Sequence, residues 1–328
     1  MIDELRFEAI REDEPGPRWR ALFERHWPHY KAWFLQEGER ERASYAESLR
    51  MLQEHMPELV PIYERLCALA GGGDLEARLL SMWRPPPYLA ACSQAVWTRG
   101  EPFLVRNYDY APDRIEGVVL GTAWEGRRVI GMSDFLWGLL DGINDAGLAV
   151  SLAFGGRQVV GDGFGVPLVV RYLLQSCDTV VDARVALERL PYQLAHSLTI
   201  VDRSGDFVTA YLSPDRGVVF RDVAIATNHQ EDVEWHEHAY ATRSLEREHE
   251  LAVALERAPD PQSFAAAFLE PPLFSADYAQ GMGTLYTAVY RPRQGTAEYR
   301  WPGLSWEQSF DRFREGERVV PLTRSWAA

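Results

Sequence analysis

Arg84-Pro85-Pro86-Pro87-Tyr88-Leu89-Ala90-Ala91-Cys92-Ser93-Gln94-Ala95-Val96-Trp97 is where this chain changes character. Before it, apolar residues recur at helical steps; after it, they come in short β-rich runs. Three consecutive prolines hold the chain extended and exposed, as a boundary or cleavable junction would be, and equally as an ordinary linker would. Beyond them, two alanines lead into Cys92 and a strand-like run. A thiol becomes a good nucleophile only when something takes its proton. An N-terminal Cys carries its own base, because the α-amino group titrates near the thiol itself. A cut between Ala91 and Cys92 would create that arrangement. Burial as an inert structural thiol is the alternative at this position.

Upstream, residues 1–83 read as helical. Trp19, Leu22, Phe23, Trp27 and Tyr30 form an amphipathic stripe, and Leu49, Leu52, Met56, Leu59, Tyr63 and Leu66 continue it around Pro57 and Pro61. Gly71-Gly72-Gly73-Asp74 ends one helix and opens another, with Asp74 as the cap. Downstream, strands are predicted over 89–97, 102–107, 117–122, 128–132 and 148–154. Helices follow over 167–177 and 181–190, then strands over 197–202, 207–212, 218–220 and 223–227. Helices over 240–255 and 262–269 precede a final strand pair, 284–291 and 297–301. Strands and helices arrive in blocks. That order favours antiparallel sheets covered by helices over a doubly wound parallel sheet, hence an α+β class.

The 328 residues suffice for a large core, and 46% hydrophobic with 25% charged residues is ordinary for a globular protein. A net charge of -14 makes nucleic acid and anionic membrane poor partners. Lys31 is the only lysine, which argues against a lysine Schiff base or a phosphate-binding P-loop. Three cysteines without a CxxC pair fit a reducing compartment. The acidic start Met1-Ile2-Asp3-Glu4-Leu5-Arg6-Phe7 has no apolar signal region, and no apolar run is long enough to span a bilayer. The expectation is a cytoplasmic protein with no metal and no cofactor.

Four polar sites stand at the ends of strand-like runs: Cys92; Arg106-Asn107-Tyr108-Asp109; Asn144-Asp145-Ala146-Gly147; and Thr227-Asn228-His229. Arg106 would favour a thiolate and Asp109 would orient an amine. Asn144 and Asn228 are candidate oxyanion donors. Each piece also has a bland reading: a turn, a surface ion pair, a helix cap. Taken in order, they resemble the acyl-coenzyme A:6-aminopenicillanate acyltransferase family, whose members are autoproteolytic N-terminal-nucleophile hydrolases; bile-salt and penicillin V amidases are more distant relatives. The resemblance runs from about Leu66 to Tyr290. It includes Gly165-Val166-Pro167 and Leu198-Thr199-Ile200-Val201-Asp202.

The resemblance implies a four-layer αββα sandwich and self-cleavage before Cys92. Residues 1–91 would form a helical propeptide or α-chain, held non-covalently if cut, and 92–328 the catalytic β-chain. Cys92 matches the nucleophile, with its new amino group as base. Arg106 and Asp109 match the residues holding amine and thiol, and Asn144 and Asn228 those around the oxyanion. Arg243 matches a later arginine, with Arg247 competing for the role. The substrate would be a small acyl donor, with water or an amine as acceptor. The alternative is an uncut relative that binds an acyl or peptide ligand without turnover. His229, Glu231, Asp232, Glu234, His236, Glu237 and His238 invite a metal reading. Their spacing lacks the two His on one helical face of a zinc site, which leaves a solvated acidic loop.

Overall fold

The run of prolines ends the helical segment and delivers the chain into the middle of a sheet. A computed structural model describes residues 2–322, and Ala91–Trp97 is a strand whose every residue is buried. It pairs antiparallel with Phe103–Tyr110, so that Cys92 lies opposite Tyr108, Gln94 opposite Arg106 and Ala91 opposite Asp109. Side chains directly opposite in such a pair share a face, and successive ones alternate. Cys92, Gln94, Arg106 and Tyr108 therefore point one way, and Ala91, Ser93, Asn107 and Asp109 the other.

The two faces meet different layers. The sheet carrying Cys92 has six strands, in the order Ile225–Ala226, Ala91–Trp97, Phe103–Tyr110, Gly283–Arg291, Thr296–Trp301 and Leu304–Ser309. On its Cys92 face lies a nine-stranded sheet: Val219–Arg221, Phe207–Leu212, His196–Val201, Ala149–Phe154, Gly138–Asn144, Val129–Asp134, Val118–Thr122, Glu4–Glu12 and Gly316–Pro321. Gln94 Nε2 donates to Ser197 O at 3.0 Å across this gap, and Ser151 Oγ donates to Gln94 Oε1 at 2.6 Å. The opposite face of the six-stranded sheet is covered by the helices Ser244–Arg257 and Pro261–Ala267. Their Leu251 and Phe264 pack on Ala95, Trp97, Phe103 and Val105. The helix Val166–Ser176 covers the outside of the larger sheet, so close that a Cβ at Gly142 would sit 2.8 Å from Leu174. The result is helix, sheet, sheet, helix: the expected αββα sandwich.

The N-terminal segment departs from the helical expectation. Glu4–Glu12 is a strand, parallel to Val118–Thr122 and antiparallel to Gly316–Pro321. Its alternation is visible in Leu5, Phe7 and Ala9, which are buried between exposed or partly exposed neighbours. Strand hydrogen bonding across two partners outweighs the weak helix propensity of so short a stretch. The helices Pro17–Phe34, Tyr45–His55, Val60–Leu69 and Asp74–Leu80 follow, and Trp19, Phe34, Leu52 and Leu66 join the main core. Gly73 occupies the cap of the last one and Asp74 its first turn. The strands Gly138–Asn144, Leu304–Ser309 and Gly316–Pro321 were not predicted. Among the described residues no helix is long and apolar enough to cross a membrane.

Candidate active site

Cys92 sits between the sheets, fully buried, and each of its polar atoms has a partner. Arg106 Nη2 donates to Sγ at 2.9 Å. The backbone N–H donates to Asn228 Oδ1 at 2.9 Å. The carbonyl oxygen accepts from Arg247 Nη1 at 2.6 Å. Three chain segments far apart in sequence thus converge on one residue.

Arg106 is itself fixed from behind. Its Nη1 donates to Asp141 Oδ2 at 2.5 Å, in an ion pair with neither side chain exposed, and its Nη2 donates to Leu152 O at 3.0 Å. Asp141 accepts further hydrogen bonds from the Tyr286 hydroxyl at 2.6 Å and from the Tyr290 hydroxyl. A buried charge is tolerated when it is paired and hydrogen-bonded; here the charges are paired and both terminal nitrogens of Arg106 are bonded, while its Nε is buried without a partner. Burial pulls against the Arg106 charge, but Cys92, Tyr286 and Asp141 outweigh it and raise its pKa further. Asp141 stands inside the apolar run Leu139-Leu140-Asp141-Gly142-Ile143. A lone acid in a buried strand was the available signal for this support, and it was not singled out.

On the other face of the strand, Arg247 knits the site together. Its Nη1 also donates to Ser93 Oγ at 2.8 Å and lies 3.3 Å from Asp109 Oδ2. Its Nη2 donates to Asn228 Oδ1 at 2.6 Å, and its Nε to Thr242 O at 2.8 Å. Asp109 is completed by Thr284 Oγ1 at 2.7 Å. Burial raises Asp109 above the usual carboxylate range while Arg247 and Thr284 draw it back. Burial lowers Arg247 against the pull of Asp109 and Cys92. Burial also raises the Cys92 thiol, with Arg106 opposing, so in the uncut chain the sulfur is held as the thiol at neutral pH.

Asn228 straddles the Ala91–Cys92 bond. Its oxygen receives the Cys92 N–H, and its nitrogen donates to Ala90 O at 3.3 Å and Phe154 O at 3.2 Å. The expected oxyanion donor is thus turned so that its acceptor faces the Cys92 nitrogen. Ser244 Oγ accepts from the Asn228 backbone N–H at 2.9 Å. Gly156 makes room: its φ is +67°, and a Cβ there would lie 2.3 Å from Asn228 O. Ser244, Gly156 and Thr284 escaped sequence reasoning, because only the fold brings them to the site.

Two expected residues stand elsewhere. Asn144 spends its amide on Leu174 O at 3.0 Å, Cys177 O at 2.7 Å and the Leu148 N–H at 2.9 Å; it ties a helix end to a turn and makes no contact with Cys92. Arg243 is half exposed and paired with Glu246 at the surface. The helix expected over 240–255 is broken there: Arg243 takes φ +52° between His236–Ala241 and Ser244–Arg257. Arg247, the competing candidate, is the arginine at the site. In the stretch expected to be a solvated acidic loop, His229 is buried: it bonds Ser244 Oγ at 2.8 Å through Nδ1 and meets Glu248 at 3.3 Å through Nε2.

Two facing sheets between helices make an α+β sandwich, in which a buried cysteine, two arginines, an aspartate and an asparagine converge on one peptide bond. The model of the family described as acyl-coenzyme A:6-aminopenicillanic acid acyl-transferase matches residues 97–306, and the chain belongs to that family. None of the curated proteins matches. Among solved structures the chain is similar to penicillin V acylase from Agrobacterium tumefaciens, with a TM-score of 0.49 and 14% identity, covering 67% of this chain and 87% of that one. It is also similar to an ortholog of N-acylethanolamine-hydrolyzing acid amidase from Caenorhabditis elegans, with a TM-score of 0.47, 15% identity and coverages of 70% and 100%. A third is the conjugated bile acid hydrolase of Clostridium perfringens, with a TM-score of 0.40, 11% identity and coverages of 71% and 97%.

Proposed function

We propose that this chain cuts itself before Cys92 and then works as an N-terminal-cysteine amide hydrolase or acyltransferase. The observation that carries the reading is the bracketing of a single peptide bond: Asn228 on both sides of Ala91, Arg106 on Sγ, Arg247 on the Cys92 carbonyl. In the first stage Sγ attacks the Ala91 carbonyl carbon, the amide C–N bond breaks, and the nitrogen takes the thiol's proton. Water then hydrolyses the thioester, leaving Ala91 as a carboxylate and Cys92 with a free amine. Asn228 Oδ1, already the acceptor for that nitrogen, keeps the amine in place.

The second stage reuses the same atoms on an external acyl donor. The amine accepts the thiol's proton, Sγ bonds to the acyl carbon, and the leaving group departs with the proton. Arg247 shares Asn228 Oδ1 with the amine, and a guanidinium so close disfavours a second positive charge. The unprotonated amine, which is the form that accepts the thiol's proton, is thereby favoured. Water or an amine then takes the acyl group.

The test is to trap the intermediate. Incubation with an acyl thioester and rapid acid quenching should leave one acyl mass on the peptide beginning at Cys92, and none in Cys92→Ala. A purified chain that neither acylates nor reacts with iodoacetamide at Cys92 would instead describe an uncut, binding-only relative.

A further inference from the structure

Thr227, Asn228 and His229 follow the edge strand Ile225–Ala226, and all three dock on the start of the helix Ser244–Arg257. Ser244, Arg247 and Glu248 stand three and four residues apart there, so they share one face of the helix. Ser244 Oγ accepts the Asn228 backbone N–H at 2.9 Å, and Arg247 Nη2 donates to Asn228 Oδ1 at 2.6 Å. Glu248 Oε2 lies 3.3 Å from His229 Nε2, and Thr227 Oγ1 donates to Ser244 O at 3.0 Å. Asn228, His229, Ser244 and Arg247 are buried, whereas the Glu248 carboxylate reaches the surface. One helical turn thus holds Asn228 by its backbone and by its side chain, and takes the histidine beside it as well.

Counting protons on Ser244 gives that histidine a task. A serine hydroxyl has one proton and two lone pairs. One lone pair of Ser244 receives the Asn228 N–H, so the proton must point at another acceptor. His229 Nδ1 is the nearest, at 2.8 Å, with Thr227 Oγ1 at 3.0 Å. A carboxylate accepts and cannot donate, so Glu248 beside Nε2 favours a proton on that nitrogen and leaves Nδ1 of the neutral ring bare. Glu248 therefore selects the tautomer, the tautomer directs the Ser244 hydroxyl, and the hydroxyl turns its lone pair to Asn228.

We propose that His229 is a positioning residue for the reaction at Cys92: through Ser244 it holds the Asn228 backbone so that Asn228 Oδ1 meets the Cys92 N–H. This rests on the self-cutting reading above, in which Asn228 receives the nitrogen of the bond to be broken. Without an acceptor at Nδ1 the Ser244 proton swings, its lone pair leaves the Asn228 N–H, and Asn228 shifts against the Ala91–Cys92 bond. A displacement of about 1 Å at a reacting bond costs up to about a hundredfold in rate.

The test compares two variants that each keep half of the ring. In His229→Asn the amide oxygen falls where Nδ1 was and still accepts the Ser244 proton. In His229→Gln the longer side chain reaches toward the place of Nε2 and leaves Ser244 without that acceptor. Self-cutting needs no added substrate, and its rate is read by gel after cell-free translation of the full chain. His229→Asn should cut within about threefold of wild type and His229→Gln about thirtyfold more slowly. Adding His229→Gln to Ser244→Ala should change the rate little further, because both remove one link. Equal losses in the Asn and Gln variants, or wild-type cutting in His229→Gln, overturn the positioning role and leave the self-cutting mechanism standing. A wild-type chain that never cuts overturns both. Should His229→Gln fail to fold, Glu248→Ala decides, since it alters only a side chain at the surface: slower cutting supports the link from Glu248 to Asn228, and cutting at the wild-type rate overturns it.

Discussion

Arg247 has more consequence than any other side chain that touches Cys92. Its fork reaches the Cys92 carbonyl, Ser93, Asp109 and Asn228 at once, a geometry that a lysine ammonium on a flexible stem does not reproduce. Arg247→Lys should therefore slow cutting and turnover by about a hundredfold, the scale of losing one preorganised donor. Its lost guanidinium also shifts a pH profile. In the proposed mechanism the acid limb of kcat/KM belongs to the Cys92 amine. In Arg247→Gln it should move to higher pH, because a neutral neighbour no longer resists the ammonium. An unmoved limb would remove Arg247 from that role. Sequence reasoning reached Arg247 only as a competitor to Arg243. On one unbroken helix, residues four apart share a face and cannot be told apart. The left-handed residue at Arg243 breaks the helix and turns that side chain to solvent. Asn144 and Asn228 posed the same problem: each stands beside a strand-like run, and spacing carries no information about which one folds onto Cys92.

The elements around the site explain what was legible. Runs buried on both faces, such as Ala91–Trp97, Phe103–Tyr110 and Ala149–Phe154, announce themselves by continuous β-rich composition. Glu4–Glu12 was hidden by its charged alternate positions, and Gly138–Asn144 by its glycines and its aspartate. The loop after Ala149–Phe154 carries the sharpest element-level prediction. Gly156→Ala puts a methyl against Asn228 O and demands a left-handed alanine, so it should displace Asn228 and impair cutting while the sheets remain intact. Cutting at the wild-type rate, read by gel, with unchanged far-ultraviolet dichroism would show that this approach does not position Asn228. The strand Glu4–Glu12 carries another. It pairs on both edges, so residues 1–91 should stay bound after the cut. The two fragments should co-elute in size exclusion and separate only in denaturant; separation under native conditions would contradict the pairing.

At the scale of the whole molecule, the core holds ionisable groups away from water, and that writes a pH dependence into its stability. His196 is buried in the nine-stranded sheet with its pKa lowered by burial to about 4. An unfolded histidine titrates near 6.5, so between those values the unfolded chain binds the extra proton. Stability contributed by the neutral ring is full above about 6.5 and is lost as pH falls toward 4, by about 3 kcal/mol. His238 is lowered the same way, by burial and by Arg247, and adds to the trend from a more exposed position. Urea midpoints should therefore fall between pH 7 and pH 5, and less so in His196→Phe; equal slopes in the two proteins would contradict this origin. The central claim concerns one peptide bond within this same interior, and intact-mass measurement of the purified protein tests it most directly. Wild type should resolve into fragments 1–91 and 92–328, the second beginning with a cysteine whose amine is free, while Cys92→Ala stays whole. A wild-type chain that remains a single mass after prolonged incubation, or a variant that is cut at the same place, would contradict the account.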